Sequence, residues 1–176
     1  MKINMNRCIF LDRDGTIIKD VPYVHKAEHL EFLPGALEEL AKLQQAGFHL
    51  IVITNQAGIA RGYYKREHMD VFHNELERRA KQSGVTFEAF YHCPHHPDFT
   101  GVCLCRKPLP GMLHQAHKDF GMDLKQSIVI GNNESDIIAG KAVGATTFLI
   151  TDQPDIETKA DHTVTSMLEV CDILLT

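Results

Sequence analysis

Short runs of apolar residues alternate along the chain with longer stretches in which apolar residues recur at helical spacing. In one such stretch Leu37, Leu40 and Leu43 share a face, Pro34 stands at the expected first turn, and Gly47 follows as a stop signal. The short runs predict buried strands at 7–12, 48–53, 87–91, 127–130 and 147–150. The longer stretches predict helices at 34–43, 65–81, 111–120, 135–142 and 166–175. This alternation predicts an α/β fold with a mostly parallel sheet and helices on both of its faces.

Composition narrows the class of protein. The 176 residues are 44% hydrophobic and 23% charged, which is typical of a globular protein, and we expect a single domain over 1–176. The net charge of -5 argues against a nucleic-acid or membrane-surface role, and no apolar run is long enough to span a bilayer. Because the first residues lack a cleavable apolar segment, we expect a cytoplasmic protein. We also expect a monomer whose partner is a small molecule.

Polar segments follow the predicted strands at their carboxyl ends, where a parallel sheet binds its ligands. The first strand ends in DRDGT (12–16), the second in TNQ (54–56) and the strand at 127–130 in GNNESD (131–136). RKP (106–108) precedes the helix at 111–120. Each segment alone has an ordinary explanation, since an Asp-x-Asp pair is commonly a solvated turn and a threonine after a strand is commonly a helix cap. Their occurrence together predicts a functional site at one edge of the sheet.

The chemistry of these residues favours phosphoryl transfer. Asp12 and Asp14 are two residues apart, so their side chains point to the same side, and Gly15 permits a tight turn whose N–H groups face an anion. A carboxylate that attacks a phosphate meets a repulsion of roughly 4 kcal/mol per pair of unit charges at 4 Å. A divalent cation and a lysine offset this repulsion, and Asp136 and Lys107 are candidates to hold or supply them. The candidate donors to the phosphoryl oxygens are Thr54 and Asn55.

Three of the five cysteines lie within thirteen residues, close to histidines. One imidazole and three thiolates suit a tetrahedral Zn²⁺, and we expect a structural zinc site because no ligand position is left open for water. Such a site would fix the loop 93–107, which is inserted in the domain. Free thiols beside a solvated histidine are the alternative, and His92 and His96 could compete for the metal. The proposed ligands are Cys93, His95, Cys103 and Cys105.

Together, these segments resemble the four motifs of the haloacid dehalogenase superfamily of aspartate-nucleophile phosphatases. The motifs are FLDRDGT (10–16), ITN (53–55), RKP (106–108) and GNNESD (131–136). Within the superfamily, the segments LDRDGTI and NQAGIARGYY and the cysteine-rich loop resemble the heptose-bisphosphate phosphatases. The resemblance runs from 7 to 150. It implies a Rossmann-like fold without a large cap domain, and it selects His95 as the histidine that binds zinc.

The resemblance also implies roles for individual residues. Asp12 would be the nucleophile that forms an aspartyl-phosphate, and Asp14 would protonate the leaving oxygen and then activate water. The Mg²⁺ ion would be held by the carboxylate of Asp12, the main-chain carbonyl of Asp14 and the side chain of Asn132, with Asp136 also assigned to the metal. The phosphoryl group would be stabilised by Thr54, Asn55 and Lys107. The substrate would contact Arg13, Asp20, Tyr23, Gln56, Arg61, Arg106 and Asn133.

Two positions depart from the family pattern. Asn132 stands where the family has an aspartate that binds Mg²⁺, and Asn133 stands where heptose-bisphosphate phosphatases commonly have a lysine. The missing negative charge at 132 predicts weaker Mg²⁺ binding, by about tenfold or more.

The reaction that the resemblance implies is hydrolysis of D-glycero-D-manno-heptose 1,7-bisphosphate at C7. The products would be heptose 1-phosphate, for lipopolysaccharide or surface-glycan synthesis, and inorganic phosphate. One alternative is a histidinol-phosphate phosphatase, against which the segment GIARG (58–62) argues. The other is a weakly active or inactive phosphate-binding protein of the same superfamily, which the asparagine at 132 favours.

Overall fold

A computed structural model describes residues 7–153 and 155–176, and its centre is a six-stranded sheet whose strands all run parallel. The strands are β1 (Cys8–Leu11), β2 (His49–Asn55), β3 (Ala89–Cys93), β4 (Ile128–Gly131), β5 (Thr146–Ile150) and β6 (His162–Val164). Their order in the sheet is β3-β2-β1-β4-β5-β6, so the chain moves outward on one side of β1 and then returns to its other side at β4. A ligand-binding crevice opens at such a reversal, beyond the carboxyl ends of the strands.

Helices cover both faces of the sheet. They are α1 (Ala36–Gln45), α2 (Arg66–Gln82), α3 (Pro97–Thr100), α4 (Gly111–Phe120), α5 (Glu134–Ala142) and α6 (Met167–Leu175). Side chains alternate along β1, so Ile9 and Leu11 pack with α1, α2 and α6, whereas Cys8 and Phe10 pack with α4 and α5. All four β1 side chains are fully buried, because a sheet with helices on both faces leaves no strand face in water. The predicted α/β fold is confirmed.

Three local features differ from the prediction. Helix α1 begins at Ala36, since Gly35 before it has a left-handed backbone (φ 75°), and Pro34 therefore precedes the helix instead of occupying its first turn. Strand β6 is absent from the prediction, because its three residues, His-Thr-Val, carry no recognisable alternation. The loop predicted at 93–107 contains the short helix α3.

The segments that follow β1, β2 and β3 form the rim of the crevice. They contain only short helical elements before the next long helix, a 3₁₀ turn at Ala27–His29 after β1 and α3 after β3. Across 7–153 and 155–176, no large cap domain covers the strand ends, as the resemblance implies. No helix in this part of the chain has the length and apolar character needed to cross a membrane.

Candidate active site

The carboxyl ends of β1, β2 and β4 open into a cavity of about 760 Å³. The four polar segments predicted to meet at one sheet edge all contribute to it, so their juxtaposition is confirmed. The predicted site residues in its lining are Asp12, Asp14, Asp20, Tyr23, Thr54, Asn55, Gln56, Arg61, Arg106, Lys107, Asn132, Asn133 and Asp136.

A buried lysine links two carboxylates at the floor of the cavity. The ammonium of Lys107, which is 3% exposed, lies 2.8 Å from Asp12 Oδ1 and 2.6 Å from Asp136 Oδ1. Burial alone would lower the pKa of Lys107, but the charges of Asp12 and Asp136 outweigh it and raise this pKa above its ordinary value. Burial raises the pKa of Asp136 to about 6, against the opposing field of Lys107. At neutral pH the positively charged ammonium of Lys107 therefore lies between the negatively charged carboxylates of Asp12 and Asp136.

Asp136 is predicted to bind Mg²⁺, and its hydrogen bonds favour a different role. Its Oδ1 pairs with Lys107, and its Oδ2 accepts from the main-chain N–H of Asn133 at 3.1 Å. Both carboxylate oxygens are thus engaged by protein donors, which anchors Lys107 and the beginning of α5. Direct metal binding by Asp136 stays a prediction.

The second aspartate of the first motif is held by its neighbour. Arg13 donates from Nε to Asp14 Oδ1 at 3.0 Å and from Nη2 to Asp14 Oδ2 at 2.9 Å. Burial raises the pKa of Asp14, while the charge and hydrogen bonds of Arg13 act in the opposite direction. A carboxyl group with a raised pKa is suited to give and take a proton.

Arg13 is predicted to contact the substrate, but its side chain is fully buried and does not line the cavity. Beyond its hydrogen bonds to Asp14, its guanidinium reaches α2, where it contacts Met69 Sδ at 2.9 Å and a ring nitrogen of His73 at 3.1 Å. The alternation that directs the two aspartates into the cavity directs the residue between them into the protein.

The residues at the end of β2, and Gln56 directly after it, form hydrogen bonds with the other catalytic candidates. The amide of Asn55 pairs with the main chain of Lys107 in both directions, at 3.0 Å each, so its side chain holds Lys107 in place. Gln56 donates from Nε2 to Thr54 Oγ1 at 2.8 Å and to Asp14 Oδ2 at 2.9 Å. Gln56 is 3% exposed and lines the cavity, so its contact with substrate stays a prediction. The hydroxyl of Thr54 accepts from Gln56, which leaves its own proton to donate into the cavity.

Three oxygen positions converge beside Asp12. The terminal amide of Asn132 lies 3.3 Å from Asp12 Oδ2 and 3.1 Å from the main-chain oxygen of Asp14. If the amide nitrogen of Asn132 occupies this position, both contacts are hydrogen bonds. If the amide oxygen occupies it, that oxygen, Asp12 Oδ2 and the Asp14 carbonyl oxygen converge as Mg²⁺ ligands do. Gly15 makes room for the arrangement, since a Cβ on its left-handed backbone would lie 2.1 Å from Asn132 Nδ2. The residues present therefore fit a hard divalent cation.

The cysteine-rich loop forms a compact cluster that can hold a metal ion. Its four candidate ligand atoms lie within 4.8 Å of one another. Cys105 Sγ is 3.1 Å from Cys93 Sγ, 3.6 Å from Cys103 Sγ and 3.4 Å from His95 Nδ1. Ligands of a tetrahedral ion with metal–sulfur bonds of about 2.3 Å stand roughly 3.8 Å apart, so the cluster needs little adjustment. His95 is the histidine of this cluster, and the competing positions 92 and 96 are not part of it.

A basic rim adjoins the metal cluster. Arg106 follows Cys105 directly and donates to the main-chain oxygen of His95 at 3.3 Å. Arg61 Nη2 lies 3.3 Å from His96 Nε2, and the Arg61 guanidinium stacks over Phe99 of α3. Both arginines line the cavity, so the cysteine-rich loop and the segment after β2 each place a positive charge at its rim.

Comparison with known proteins decides the family. A family model described as Polynucleotide kinase 3 phosphatase matches residues 7–170. The D-glycero-alpha-D-manno-heptose-1,7-bisphosphate 7-phosphatase of Photorhabdus laumondii is 42% identical over 149 residues, which is 82% of this chain and 81% of that protein. The D-glycero-beta-D-manno-heptose-1,7-bisphosphate 7-phosphatase of Escherichia coli K12 is 36% identical over 172 residues, 92% of this chain and 90% of that protein. The chain belongs to the heptose-1,7-bisphosphate 7-phosphatase family. The predicted membership of the haloacid dehalogenase superfamily, and of its phosphatases, is confirmed.

A solved structure of this phosphatase family has the same fold. The D,D-heptose 1,7-bisphosphate phosphatase of B. bronchiseptica, crystallised with magnesium and phosphate, superposes with a TM-score of 0.85 at 29% identity. The match covers 96% of this chain and 98% of that one. That protein therefore holds the ion and the anion that the cavity described above fits.

Two residues that line the cavity, and a third that supports one of its neighbours, were not predicted from the sequence. Tyr64 lines the cavity and donates to Gln56 Oε1 at 2.6 Å, and His96 lines it beside Arg61. His73 has no predicted role, yet it is buried against Arg13. Tyr64 falls inside the segment 55–64 that carries the resemblance, which is a usable signal. The histidines offer none, because only the folded chain brings them to the site.

Proposed function

We propose that the protein hydrolyses the C7 phosphate of D-glycero-D-manno-heptose 1,7-bisphosphate, with Asp12 as the nucleophile. The single observation that carries this proposal is the placement of Asp12 and Asp14 at one cavity, with Lys107 beside Asp12 at 2.8 Å. The names of the relatives supply the substrate, since the geometry alone supports a phosphoryl transfer of broader class.

In the first step, a carboxylate oxygen of Asp12 attacks phosphorus, and the bond from phosphorus to the C7 oxygen breaks. Lys107 offsets the repulsion between the carboxylate and the phosphoryl oxygens, and the hydroxyl of Thr54 donates to one of those oxygens. Bound Mg²⁺ would add positive charge at the same oxygens. Its ligands would be the Asp12 carboxylate, the main-chain oxygen of Asp14 and the amide oxygen of Asn132.

Asp14 performs the proton transfers of both steps. As phosphorus leaves the sugar, protonated Asp14 gives its proton to the departing C7 oxygen. In the second step, the carboxylate of Asp14 takes a proton from a water whose oxygen attacks the aspartyl-phosphate. Asp12 is thereby regenerated, and inorganic phosphate leaves.

The cysteine-rich loop would be fixed by a structural Zn²⁺, because three thiolates and one imidazole fill a tetrahedral shell. This loop carries Arg106 at the cavity rim, and Arg61 lies on the same rim. The two guanidinium groups suit the second phosphate of a bisphosphate, at C1. The rim residues Asp20, Tyr23 and Asn133 would contact the sugar. We further propose that the single domain works as a cytoplasmic monomer and supplies heptose 1-phosphate for lipopolysaccharide or surface-glycan synthesis.

A substrate panel tests the proposal. We would measure kcat/KM with Mg²⁺ for both anomers of the heptose bisphosphate, for histidinol phosphate and for a 3′-phosphorylated oligonucleotide. We expect the heptose bisphosphate to have the highest kcat/KM, and we expect Asp12→Asn to abolish turnover while substrate binding persists. A preference for histidinol phosphate or the oligonucleotide would overturn the proposed substrate. Unchanged turnover by Asp12→Asn would overturn the nucleophile.

A further inference from the structure

The Asp14 carboxyl group accepts an unequal set of hydrogen bonds. Its Oδ2 accepts two, from Arg13 Nη2 and Gln56 Nε2, whereas its Oδ1 accepts one, from Arg13 Nε. A carboxylate oxygen has two lone-pair sites in the plane of the group. Both sites of Oδ2 are therefore filled, and one site of Oδ1 is left for a proton.

Gln56 connects Asp14 to the rest of the phosphoryl site. Its Nε2 uses both hydrogens, one toward Thr54 Oγ1 and one toward Asp14 Oδ2, and its Oε1 accepts from the Tyr64 hydroxyl. The side chain is buried and every hydrogen-bonding atom of its amide has a partner. Rotating the amide by half a turn would place its oxygen against Asp14 Oδ2, which is an acceptor, so Asp14 fixes the orientation in which the amide oxygen faces the Tyr64 hydroxyl.

Tyr64 is itself held rigidly. Its ring is 4% exposed and stacks on His25 with centroids 4.6 Å apart. It fills the space beside Gly58, where a Cβ would lie 2.3 Å from the ring. Burial raises the pKa of Tyr64 to about 12, so the hydroxyl stays a hydrogen-bond donor at neutral pH.

We propose that Gln56 and Tyr64 are positioning residues. Together with Arg13, they hold the Asp14 carboxyl group so that its Oδ1 carries the proton that is given to the leaving group. This rests on the proposed function only through the acid role of Asp14. Neither residue touches the reacting atoms: Tyr64 acts through Gln56, and Gln56 acts through Asp14. The cost of losing Tyr64 falls on leaving-group protonation. Loss of Gln56 also removes the hydrogen bond to Thr54 Oγ1, so Tyr64→Phe is the variant that isolates the effect on Asp14.

The test compares two leaving groups. A sugar alkoxide needs a proton as it departs, whereas the nitrophenolate of p-nitrophenyl phosphate departs without one, so a misplaced acid slows formation of the aspartyl-phosphate only from the sugar phosphate. Hydrolysis of the aspartyl-phosphate, in which Asp14 is the base, is shared by both substrates and follows the first irreversible step, so it does not enter kcat/KM. We would measure kcat/KM of Tyr64→Phe and Gln56→Leu with heptose bisphosphate and with p-nitrophenyl phosphate. For Tyr64→Phe we expect kcat/KM for the sugar phosphate to fall about tenfold, the worth of one hydrogen bond. With the aryl phosphate we expect kcat/KM to change by less than about twofold.

Tyr63→Phe is the matched control, because Tyr63 is 55% exposed and lies next in sequence but packs on Tyr23 outside this chain of hydrogen bonds. It should behave as wild type with both substrates. An equal loss of kcat/KM on both substrates, or no loss on either, would overturn the positioning role. The wild-type rates test the proposed function separately. If the heptose bisphosphate is not turned over, glycerol phosphate takes its place as the alkyl substrate, and the same ratio decides.

Discussion

Two carboxylates of the site, Asp12 and Asp136, share the single buried ammonium of Lys107. Removing one partner of a buried ion pair costs several kcal/mol, about 3–5, because it leaves an uncompensated charge. The pairing therefore both stabilises the site and keeps positive charge where the phosphoryl group must bind. The side chain of Asn132, on the other side of Asp12, is neutral, so at that point the chain has less negative charge than its family pattern.

Restoring the carboxylate in Asn132→Asp should strengthen Mg²⁺ binding. We expect the Mg²⁺ concentration for half-maximal turnover to fall by about tenfold, equivalent to ~1.4 kcal/mol. Without Mg²⁺ the variant should unfold at a lower temperature than wild type, because its new carboxylate faces Asp12 at the site of a 3.3 Å amide contact.

The control for this variant is Asn133→Asp, which adds the same charge at an exposed neighbour whose side chain caps α5. Its Mg²⁺ requirement should stay close to that of wild type. Equal Mg²⁺ requirements in wild type and Asn132→Asp would contradict the metal assignment of residue 132.

At the scale of elements, α2 supports the first catalytic loop. His73 on its inner face contacts Arg13, and Phe72 lies under the same guanidinium, 4.7 Å from the ring centroid. Burial, reinforced by the charge of Arg13, lowers the pKa of His73 from 6.5 to about 2. The histidine must stay neutral to accept from Arg13, so its protonation opposes folding.

This linkage predicts the pH dependence of stability. The pKa of His73 is lower in the folded chain than in the unfolded one, so protonation of His73 favours the unfolded chain. Above about pH 6.5 this protonation costs no stability, and as the pH falls below that value the free energy of unfolding falls by up to roughly 1.4 kcal/mol per pH unit. We expect His73→Gln to lose less free energy of unfolding than wild type between pH 6.5 and 4.5, measured by urea unfolding. His114→Gln, at an exposed position of α4, should keep the wild-type slope. Parallel slopes for wild type and His73→Gln would contradict a buried neutral His73.

The cysteine-rich loop joins β3 to α4 and carries two residues of the site. Cys105 is followed directly by Arg106 and Lys107, and Gly111 packs so closely that a Cβ would lie 2.1 Å from the Leu104 carbonyl oxygen. Removing the metal should therefore disturb the phosphoryl site as well as the loop.

Cys103→Ser should lose bound zinc, measured by elemental analysis of the purified protein. We expect its melting temperature and kcat/KM to fall together, with added Mg²⁺ restoring neither, because Lys107 and Arg106 lose their support. Cys171→Ser, which alters a buried thiol on α6, should keep one equivalent of zinc. Wild-type turnover by a metal-free Cys103→Ser would refute this role for the loop.

For the whole molecule, the parallel topology explains why so much of the site is predictable from the sequence. Continuous apolar runs mark the buried strands, and ligands bind at the carboxyl ends of parallel strands, so Asp12, Thr54 and Asn132 are expected to lie together. Contacts that depend on packing between segments distant in the sequence cannot be predicted in this way. The contacts of Arg13 with Met69 and His73 are set by the position of α2, and the contact of Gln56 with Tyr64 is set by the fold of 57–64. Strand β6 escapes prediction because its neighbours, and not its own three residues, make it a strand.

Phosphorus-31 NMR of a single reaction mixture shows which phosphate of a heptose bisphosphate the protein removes and whether Asp12 is required. Wild-type protein with Mg²⁺ and the bisphosphate should show the C7 resonance disappearing as inorganic phosphate grows, while the C1 resonance persists. Asp12→Asn should leave both resonances unchanged. Loss of the C1 resonance first, or persistence of both resonances with wild-type protein, would contradict hydrolysis of the C7 phosphate by this protein.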